Sequence, residues 1–78
     1  AETTKVMDNI KSILAAAGID FRHVLKSSIF LKDMQDYDKV NAIYGAYFEK
    51  PFPARETIQV VGLPKNVNIE ISVIASKQ

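Results

Sequence analysis

The sequence predicts an α+β domain of two layers, in which two helices pack on one face of a sheet. Two segments repeat their apolar residues at the spacing of a helix, and three segments alternate with the period of two that marks a strand. Their order along the chain is helix, strand, helix, strand, strand. The length of 78 residues, 47% of them hydrophobic, suits a single domain over 1–78 and leaves no room for a second.

The first element is an amphipathic helix that ends at Gly18, at a position where a residue in the left-handed conformation is common. Either Thr3 or Thr4 is expected to cap its start by accepting a backbone N–H bond. One apolar stripe follows helical spacing and consists of Val6, Ile10, Ile13, Leu14 and Ala17. We therefore expect this stripe to be the buried side of the helix.

The first strand, Val24–Leu31, carries apolar residues on both faces, which indicates a strand inside a sheet rather than a solvated edge. Strict alternation puts four residues on one face, namely Leu25, Ser27, Ile29 and Leu31. The opposite face then holds Val24, Ser28 and Phe30. The pattern thus predicts that Leu25 shares a face with Ile29 and that Val24 does not.

The second helix is predicted from about residue 37 to about residue 48, with Asp36 as its N-cap. Its buried stripe consists of Val40, Ile43, Tyr44 and Tyr47. Residues 50–53 should end it, because Pro51 and Pro53 cannot continue the hydrogen-bond ladder. Two strands follow over residues 55–61 and 67–74, separated by a turn at 62–66.

A sheet of three strands is thin, and its edges need to be covered by something outside this chain. The sequence has no cysteine, so no disulfide can stabilise so small a domain, and the lack of cysteine fits a reducing compartment. We therefore expect either a missing segment or an oligomer.

Composition excludes several classes of protein. The formal charge of +1, from 10 Lys+Arg against 9 Asp+Glu, is not typical of an electrostatic binder of nucleic acids or membranes. No apolar stretch approaches the length of a membrane span. The only histidine is His23, and no Cys/His cluster exists that could hold zinc, so no metal site is predicted.

Two charged strand residues are candidates for chemistry. A guanidinium such as that of Arg55 can donate two hydrogen bonds to one carboxylate, and a carboxylate such as that of Glu70 can orient water for attack on a C=N carbon. Each also has a plainer interpretation: Arg55 as a surface arginine paired with Glu56 or another carboxylate, and Glu70 as the solvent-facing residue of an alternating strand. Spacing alone favours the plainer interpretation of Arg55.

Five segments carry a resemblance to a known family: residues 24–34, 40–48, 63–65, 68–71 and the segment PARETIQV at 53–60. In this order they resemble the carboxy-terminal part of the RidA (YjgF/YER057c/UK114) family, and the first helix over residues 9–18 fits as well. The resemblance covers nearly the whole chain. Family members carry a strand pair before the first helix, so it implies that this chain is truncated at its N-terminus.

The resemblance implies a chorismate mutase-like fold, with two helices packed on a mixed sheet, and a homotrimer with ligand clefts between its subunits. It implies the hydrolysis of reactive 2-imino acids, 2-iminobutanoate and 2-iminopropanoate, to 2-keto acids and ammonia, without a metal or a cofactor. The expected location is the cytoplasm, or the mitochondrion in a eukaryote.

The resemblance also implies roles for single residues. Arg55 stands where the family holds the substrate carboxylate, and Glu70 stands where it activates water. Thr57, at a place where many members have a cysteine, and Asn41 complete the predicted substrate-binding set. Ser72 stands where a second glutamate often follows the first, which makes Glu70 the only acidic residue of its strand.

Two other functions stay open. The same cleft can hold a small carboxylate without catalysis, as in a regulatory or chaperone-like trimer, and Arg55 serves this function as well as the first. An endoribonuclease or translation inhibitor is the third interpretation, to which the near-neutral charge gives little support.

Overall fold

The predicted order of elements is confirmed in a computed structural model, which describes residues 2–50 and 52–76. The helices are α1 (Glu2–Ala16) and α2 (Tyr37–Gly45), and the strands are β1 (Val24–Leu31), β2 (Ala54–Gln59) and β3 (Ile69–Ala75). Short 3-10 turns lie at Phe21–His23, Met34–Asp36 and Pro64–Asn66. Pro51, which belongs to the predicted helix-ending segment, lies outside the described residues.

The sheet is mixed, as predicted, with the strand order β2-β1-β3. β1 is central; it runs parallel to β2 and antiparallel to β3. Parallel neighbours need a crossover connection, and α2 supplies it. Ser27 is paired with Arg55 across the parallel ladder, and Phe30 is paired with Glu70 across the antiparallel one.

The core lies between the helices and one face of the sheet. Its buried hydrophobic residues come from all five elements except β2 and from the turn after α2: Met7, Ile10, Leu14, Val24, Ile29, Leu31, Val40, Tyr44, Phe48, Ile69 and Ile71. On the other face of the sheet the described residues include two exposed isoleucines, Ile58 and Ile74. Both helices therefore cover the same side of the sheet.

Helix α1 ends as predicted and buries a narrower stripe than predicted. Gly18 has a φ of +80°, its N–H donates to Ala15 at 3.0 Å, and the next N–H donates to Leu14 at 2.9 Å, which is the Schellman pattern. Ile13 is 68% exposed, because the buried residues follow Met7, Ile10 and Leu14 and leave Ile13 on the flank. Ala17 is exposed too, since it lies beyond the helix.

The capping prediction for α1 is wrong, and the one for α2 is right in the position of Asp36 but not in its side-chain bond. Thr3 and Thr4 lie inside α1, so neither is its N-cap. Asp36 makes no side-chain cap bond, because α2 continues directly from a 3-10 turn whose own cap is Asp33, accepting from the N–H of Gln35 at 2.9 Å. Helix α2 also ends at Gly45, earlier than predicted.

The start of β1 breaks the strict alternation. The register with β3 shifts between Val24 and Lys26, as in a β-bulge. Val24 is therefore buried in the core and Leu25 is 60% exposed, which reverses their predicted faces. From Ser27 onward the alternation holds, with Ser27, Ile29 and Leu31 buried.

None of the helices among the described residues is long and apolar enough to cross a bilayer.

Candidate functional site

Arg55 is the second residue of β2, and its side chain lies on the face of the sheet that the helices cover. Its register partner Ser27 is fully buried on that face, and neighbours paired across a ladder point to the same side. Because β2 is an edge strand next to α2, the long side chain of Arg55 reaches the side of that helix.

Three residues of α2 surround the guanidinium of Arg55. Its Nη1 donates a hydrogen bond to Oδ1 of Asn41, and its Nη2 donates to the hydroxyl of Tyr37 at 2.9 Å. The carbon Cζ lies 5.4 Å from the ring centroid of Tyr44 and 5.8 Å from that of Tyr37, within the range of cation–π attraction. The spacing i, i+4, i+7 places all three residues on one side of the helix.

The hydrogen-bond and ring partners of the guanidinium are all neutral side chains. No ion pair among residues 2–50 and 52–76 includes Arg55. The plainer interpretation, a pair with Glu56, is wrong: Glu56 lies 3.7 Å from Nζ of Lys26 and accepts from Oγ of Ser28 at 2.9 Å. Successive strand residues point to opposite faces, so Arg55 and Glu56 cannot meet.

Tyr44 connects this cluster to the core. The side chain is buried, with 4% exposure, and its hydroxyl donates to Oγ of Ser27 at 2.8 Å. This hydrogen bond satisfies two buried polar groups at once. The predicted role of Tyr44 as a core aromatic is confirmed, and the same ring also forms one wall beside Arg55.

A cleft opens beside the cluster, between α2 and the segment that leads into β2. Its volume is about 450 Å³, which is enough for a small metabolite, and it is lined by Asn41, Tyr44, Gly45, Phe52, Pro53 and Arg55. Phe52 is 57% exposed at its mouth. The cleft therefore combines apolar walls with one cation and one amide.

Thr57 lies two residues after Arg55, on the same face of β2, and is paired with Ile29. Its hydroxyl oxygen is buried and has no hydrogen-bond partner among the described residues. An unsatisfied buried hydroxyl costs about 1–3 kcal/mol, so such a group is expected to have a partner in the working protein.

Glu70 lies on the other face of the sheet. Its neighbours Ile69 and Ile71 are buried against the helices, so the exposed side chain of Glu70 points away from them. Arg55 and Glu70 are separated by two inter-strand spacings across the sheet and by three residues along the strands, which corresponds to roughly 14 Å between Cα atoms. The structure thus brings together Arg55 and Asn41, with Thr57 on the same face, and leaves Glu70 apart from them.

Tyr37 is not among the site residues predicted from the sequence. A signal for it was present, because Tyr37, Asn41 and Tyr44 follow the i, i+4, i+7 spacing of one helix side. Only the parallel pairing of β1 with β2, however, places that side next to Arg55.

A second cavity, of about 490 Å³, is lined by Asp20, Arg22 and Phe48 among others and shares Pro53 with the first. Asp20 has its pKa lowered to about 2 by the side-chain hydrogen bond from Arg22, with the backbone N–H of Arg22 adding to the effect. The same carboxylate caps the 3-10 turn before β1, so its interactions are structural. No group of three acids, histidines or cysteines that could hold a metal occurs in the part of the chain that the structure describes.

The fold and the cleft define a class: an α+β domain with two helices on one face of a mixed sheet and an uncompensated arginine beside its crossover helix. The chain belongs to the family described as endoribonuclease L-PSP, whose model matches residues 1–77. The resemblance to RidA proteins drawn from the sequence is thereby confirmed.

Three relatives illustrate what the chain is similar to. It is 53% identical over 74 residues to the putative regulator AldR of Lactococcus lactis, covering 95% of this chain and 59% of that protein. It is 45% identical over 74 residues to the 2-iminobutanoate/2-iminopropanoate deaminase of Capra hircus, covering 95% and 54%. The crystal structure of E. coli TdcF with bound serine superposes with a TM-score of 0.91 at 32% identity, covering 97% and 62%.

These likenesses confirm the predicted fold, since relatives of known structure share it over nearly all of this chain. The chain spans only 54% to 62% of the length of these three relatives. The names of the relatives also differ, from deaminase to regulator, so family membership alone leaves the activity to be inferred from the site.

Proposed function

We propose that this chain carries the carboxylate-binding part of a site that hydrolyses 2-imino acids, such as 2-iminobutanoate and 2-iminopropanoate, to 2-keto acids and ammonia. One observation supports this most: Arg55 lies at a cleft of metabolite size and is held by the neutral acceptors Asn41 and Tyr37, so its charge is free to attract an anion. A deaminase relative and a relative with bound serine agree with a small substrate that carries a carboxylate.

Arg55 is proposed to bind the substrate carboxylate through two parallel N–H···O bonds, which fix both its position and its plane. Asn41 lines the same cleft, and its amide is proposed to contact the ligand as well as the guanidinium. Thr57 is the third proposed substrate-binding residue, because its unsatisfied hydroxyl lies on the same face and lacks a partner among the described residues. All three act on the bound substrate by positioning it.

Glu70 is proposed as the catalytic residue. Its carboxylate takes a proton from a water molecule while the water oxygen bonds to the imine carbon, and the imine nitrogen takes a proton from solvent. The carbinolamine nitrogen then takes the proton that Glu70 holds, the C–N bond breaks to release ammonia, and loss of the hydroxyl proton to solvent leaves a C=O group. This reaction consumes one water and needs no oxidant, reductant or covalent nucleophile, so we propose that it uses no cofactor.

Because Arg55 and Glu70 lie on opposite faces of one sheet, we propose that a complete site takes them from two copies of the protein. A homotrimer with clefts between its subunits satisfies this requirement, since each interface in a closed ring repeats the same contact. The absence of cysteine from the sequence agrees with action in a reducing compartment, and we propose the cytoplasm, or the mitochondrion in a eukaryote.

The decisive experiment measures keto acid formation from freshly generated 2-iminobutanoate, with the full-length protein and its Arg55→Ala variant. We expect kcat/KM to fall by about 100-fold or more, because two charge-assisted hydrogen bonds contribute roughly 1.5–3 kcal/mol each. Arg22→Ala is the matched control, since Arg22 is an exposed arginine paired with Asp20 at 2.9 Å, away from the cleft. Equal rates for the Arg55→Ala variant and the unchanged protein would refute the proposal.

The second candidate is a non-catalytic protein that binds a small carboxylate and regulates a partner. It is favoured by the relative named as a putative regulator, at 53% identity. The two candidates differ at Glu70: Glu70→Gln abolishes hydrolysis if the protein is a deaminase. If the protein only binds, the unchanged protein does not accelerate hydrolysis, and both forms bind 2-oxobutanoate equally.

A further inference from the structure

Tyr37 contacts Arg55, and so far it has been described only as a neutral hydrogen-bond acceptor. Its hydroxyl accepts a hydrogen bond from Nη2 at 2.9 Å, and its ring centroid lies 5.8 Å from Cζ. We propose that Tyr37 is a positioning residue, which holds the guanidinium of Arg55 in its binding orientation before the ligand arrives. This inference rests on the proposed function, in which Arg55 binds a carboxylate.

The hydrogen bonds fix the guanidinium and leave enough donors for a ligand. A guanidinium has five N–H donors. Asn41 uses one on Nη1 and Tyr37 uses one on Nη2, so three remain, and a carboxylate bound by two parallel bonds needs two. Because both terminal nitrogens are held, the planar group cannot rotate without breaking at least one of these bonds.

Neutral partners make this arrangement suited to an anchor for anions. A carboxylate at either place would also orient Arg55, but it would compete with the substrate for the positive charge. A phenol and an amide orient the group without neutralising it. The rings of Tyr37 and Tyr44, whose centroids lie 5.8 Å and 5.4 Å from Cζ, add cation–π attraction.

Tyr37 is itself held firmly enough to act as a support. It is half-buried and packs against the hydrophobic core, at the first residue of α2. Its backbone N–H donates to Met34 in the preceding 3-10 turn. The hydroxyl therefore projects from a fixed helix start, and its removal should loosen Arg55 while leaving the fold in place.

A free arginine loses side-chain entropy when it is fixed by a ligand, and a preorganised arginine does not lose it on binding. We therefore expect Tyr37→Phe, which deletes only the hydroxyl, to raise KM for 2-iminobutanoate by about three- to tenfold while kcat stays within about twofold. The Kd for 2-oxobutanoate should rise by the same factor. Tyr47→Phe is the matched control, since the Tyr47 hydroxyl bonds to Asp8 at 2.7 Å and does not touch Arg55.

A second measurement observes the guanidinium directly and needs no activity. In the full-length protein, nuclear magnetic resonance of ¹⁵N-labelled arginine should resolve the Nη protons of Arg55, because two hydrogen bonds slow rotation of the group. Tyr37→Phe should average these signals, and Tyr47→Phe should leave them resolved. A merely structural role of Tyr37 would leave them resolved as well.

The outcomes separate this inference from the proposed function. If Arg55→Ala raises KM and Tyr37→Phe changes neither KM nor the Nη signals, Tyr37 is not a positioning residue, although Arg55 remains the anchor. If Arg55→Ala itself changes neither KM nor the Kd for 2-oxobutanoate, the proposed function fails, and the inference fails with it. Averaged signals together with a raised Kd in Tyr37→Phe support both.

Discussion

The chemistry of Arg55 depends on which atoms share its hydrogen bonds. An arginine bonded to a carboxylate is an ion pair, with little charge left for a ligand, whereas Asn41 and Tyr37 offer only neutral oxygens. Glu56, the acid next to Arg55 in sequence, lies on the other face of the strand with Lys26 and Ser28. The alternation of side chains along β2 thus keeps Glu56 away from Arg55.

If the positive charge of Arg55 attracts the ligand, a negative charge placed beside it should weaken ligand binding. Asn41→Asp places a carboxylate where Nη1 of Arg55 now donates to an amide, so we expect the Kd for 2-oxobutanoate to rise about tenfold. Stability should change by less than about 1 kcal/mol, because exposed ion pairs contribute little. Isothermal titration measures the affinity, and urea unfolding measures the stability.

Asn9→Asp is the control for that variant, since it makes the same change of charge on the exposed side of α1. Unaltered affinity in Asn41→Asp would mean that the charge of Arg55 does not attract the ligand. Weakened affinity in both variants would point to the net charge of the protein rather than to the cleft.

At the scale of single elements, the features that depend on the residue pattern of one segment were predicted from the sequence. The helix–strand order, the glycine that ends α1 and the core role of Tyr44 follow from patterns within one segment. Ile13 and Leu25 did not follow their segments' patterns, because the first depends on how far the sheet covers α1 and the second on a bulge set by pairing with β3. Contacts between segments cannot be predicted from the periodicity of one segment.

The candidate site was predictable to the same degree. Arg55 and Asn41 were identified through the family resemblance, and their contact agrees with it. The separation of Glu70 from Arg55 was not predictable, since it depends on the two registers of β1 with its neighbours. Tyr37 was missed because its partner comes from a strand that begins 17 residues later, at Ala54.

One ionised side chain connects the first helix to the last strand. Glu2 on α1 accepts hydrogen bonds from the backbone N–H of Asn68 at 2.9 Å and of Ile69 at 3.3 Å, and from the side chain of Asn68 at 3.1 Å. The backbone bond from Asn68 lowers the pKa of Glu2 below its usual 4.5. The carboxylate is thus favoured in the folded state.

A lowered pKa in the folded state gives stability that is present above the unfolded value and lost as the pH falls through the folded one. We therefore expect Glu2→Gln to lower the free energy of unfolding at pH 7 and to have a vanishing effect in acid, well below pH 4.5. Urea unfolding as a function of pH measures both. Glu49→Gln, at an exposed acid outside this contact, is the matched control. An effect of Glu2→Gln that is constant with pH would contradict the assignment.

For the whole molecule, the proposed catalysis depends on assembly of subunits, because Arg55 and Glu70 lie on opposite faces of the sheet. The proposed site needs two copies, so neither Arg55→Ala nor Glu70→Ala should be active alone. Mixing them and letting the subunits exchange should restore about a quarter of the sites, because in a random trimer each interface has that chance of receiving both intact residues.

The measurement is the rate of 2-iminobutanoate hydrolysis after co-refolding of the two full-length variants in equal amounts. Each variant refolded by itself gives the baseline rate of hydrolysis. A site built within one copy would stay inactive in every mixture, since no subunit carries both side chains, and that result would rule out the shared cleft.

The irregularity at the start of β1 has a consequence for chain length. Between Val24 and Ser27, both of which face the core, the strand holds two residues where a regular ladder needs one. Loss of Leu25 would restore the regular ladder and keep every inward side chain on its present side. Deletion of one residue anywhere from Ser27 to Leu31 would instead move core-facing side chains of part of the strand to the opposite face of the sheet. Related chains can therefore differ in length at Leu25 and hardly elsewhere in the central strand.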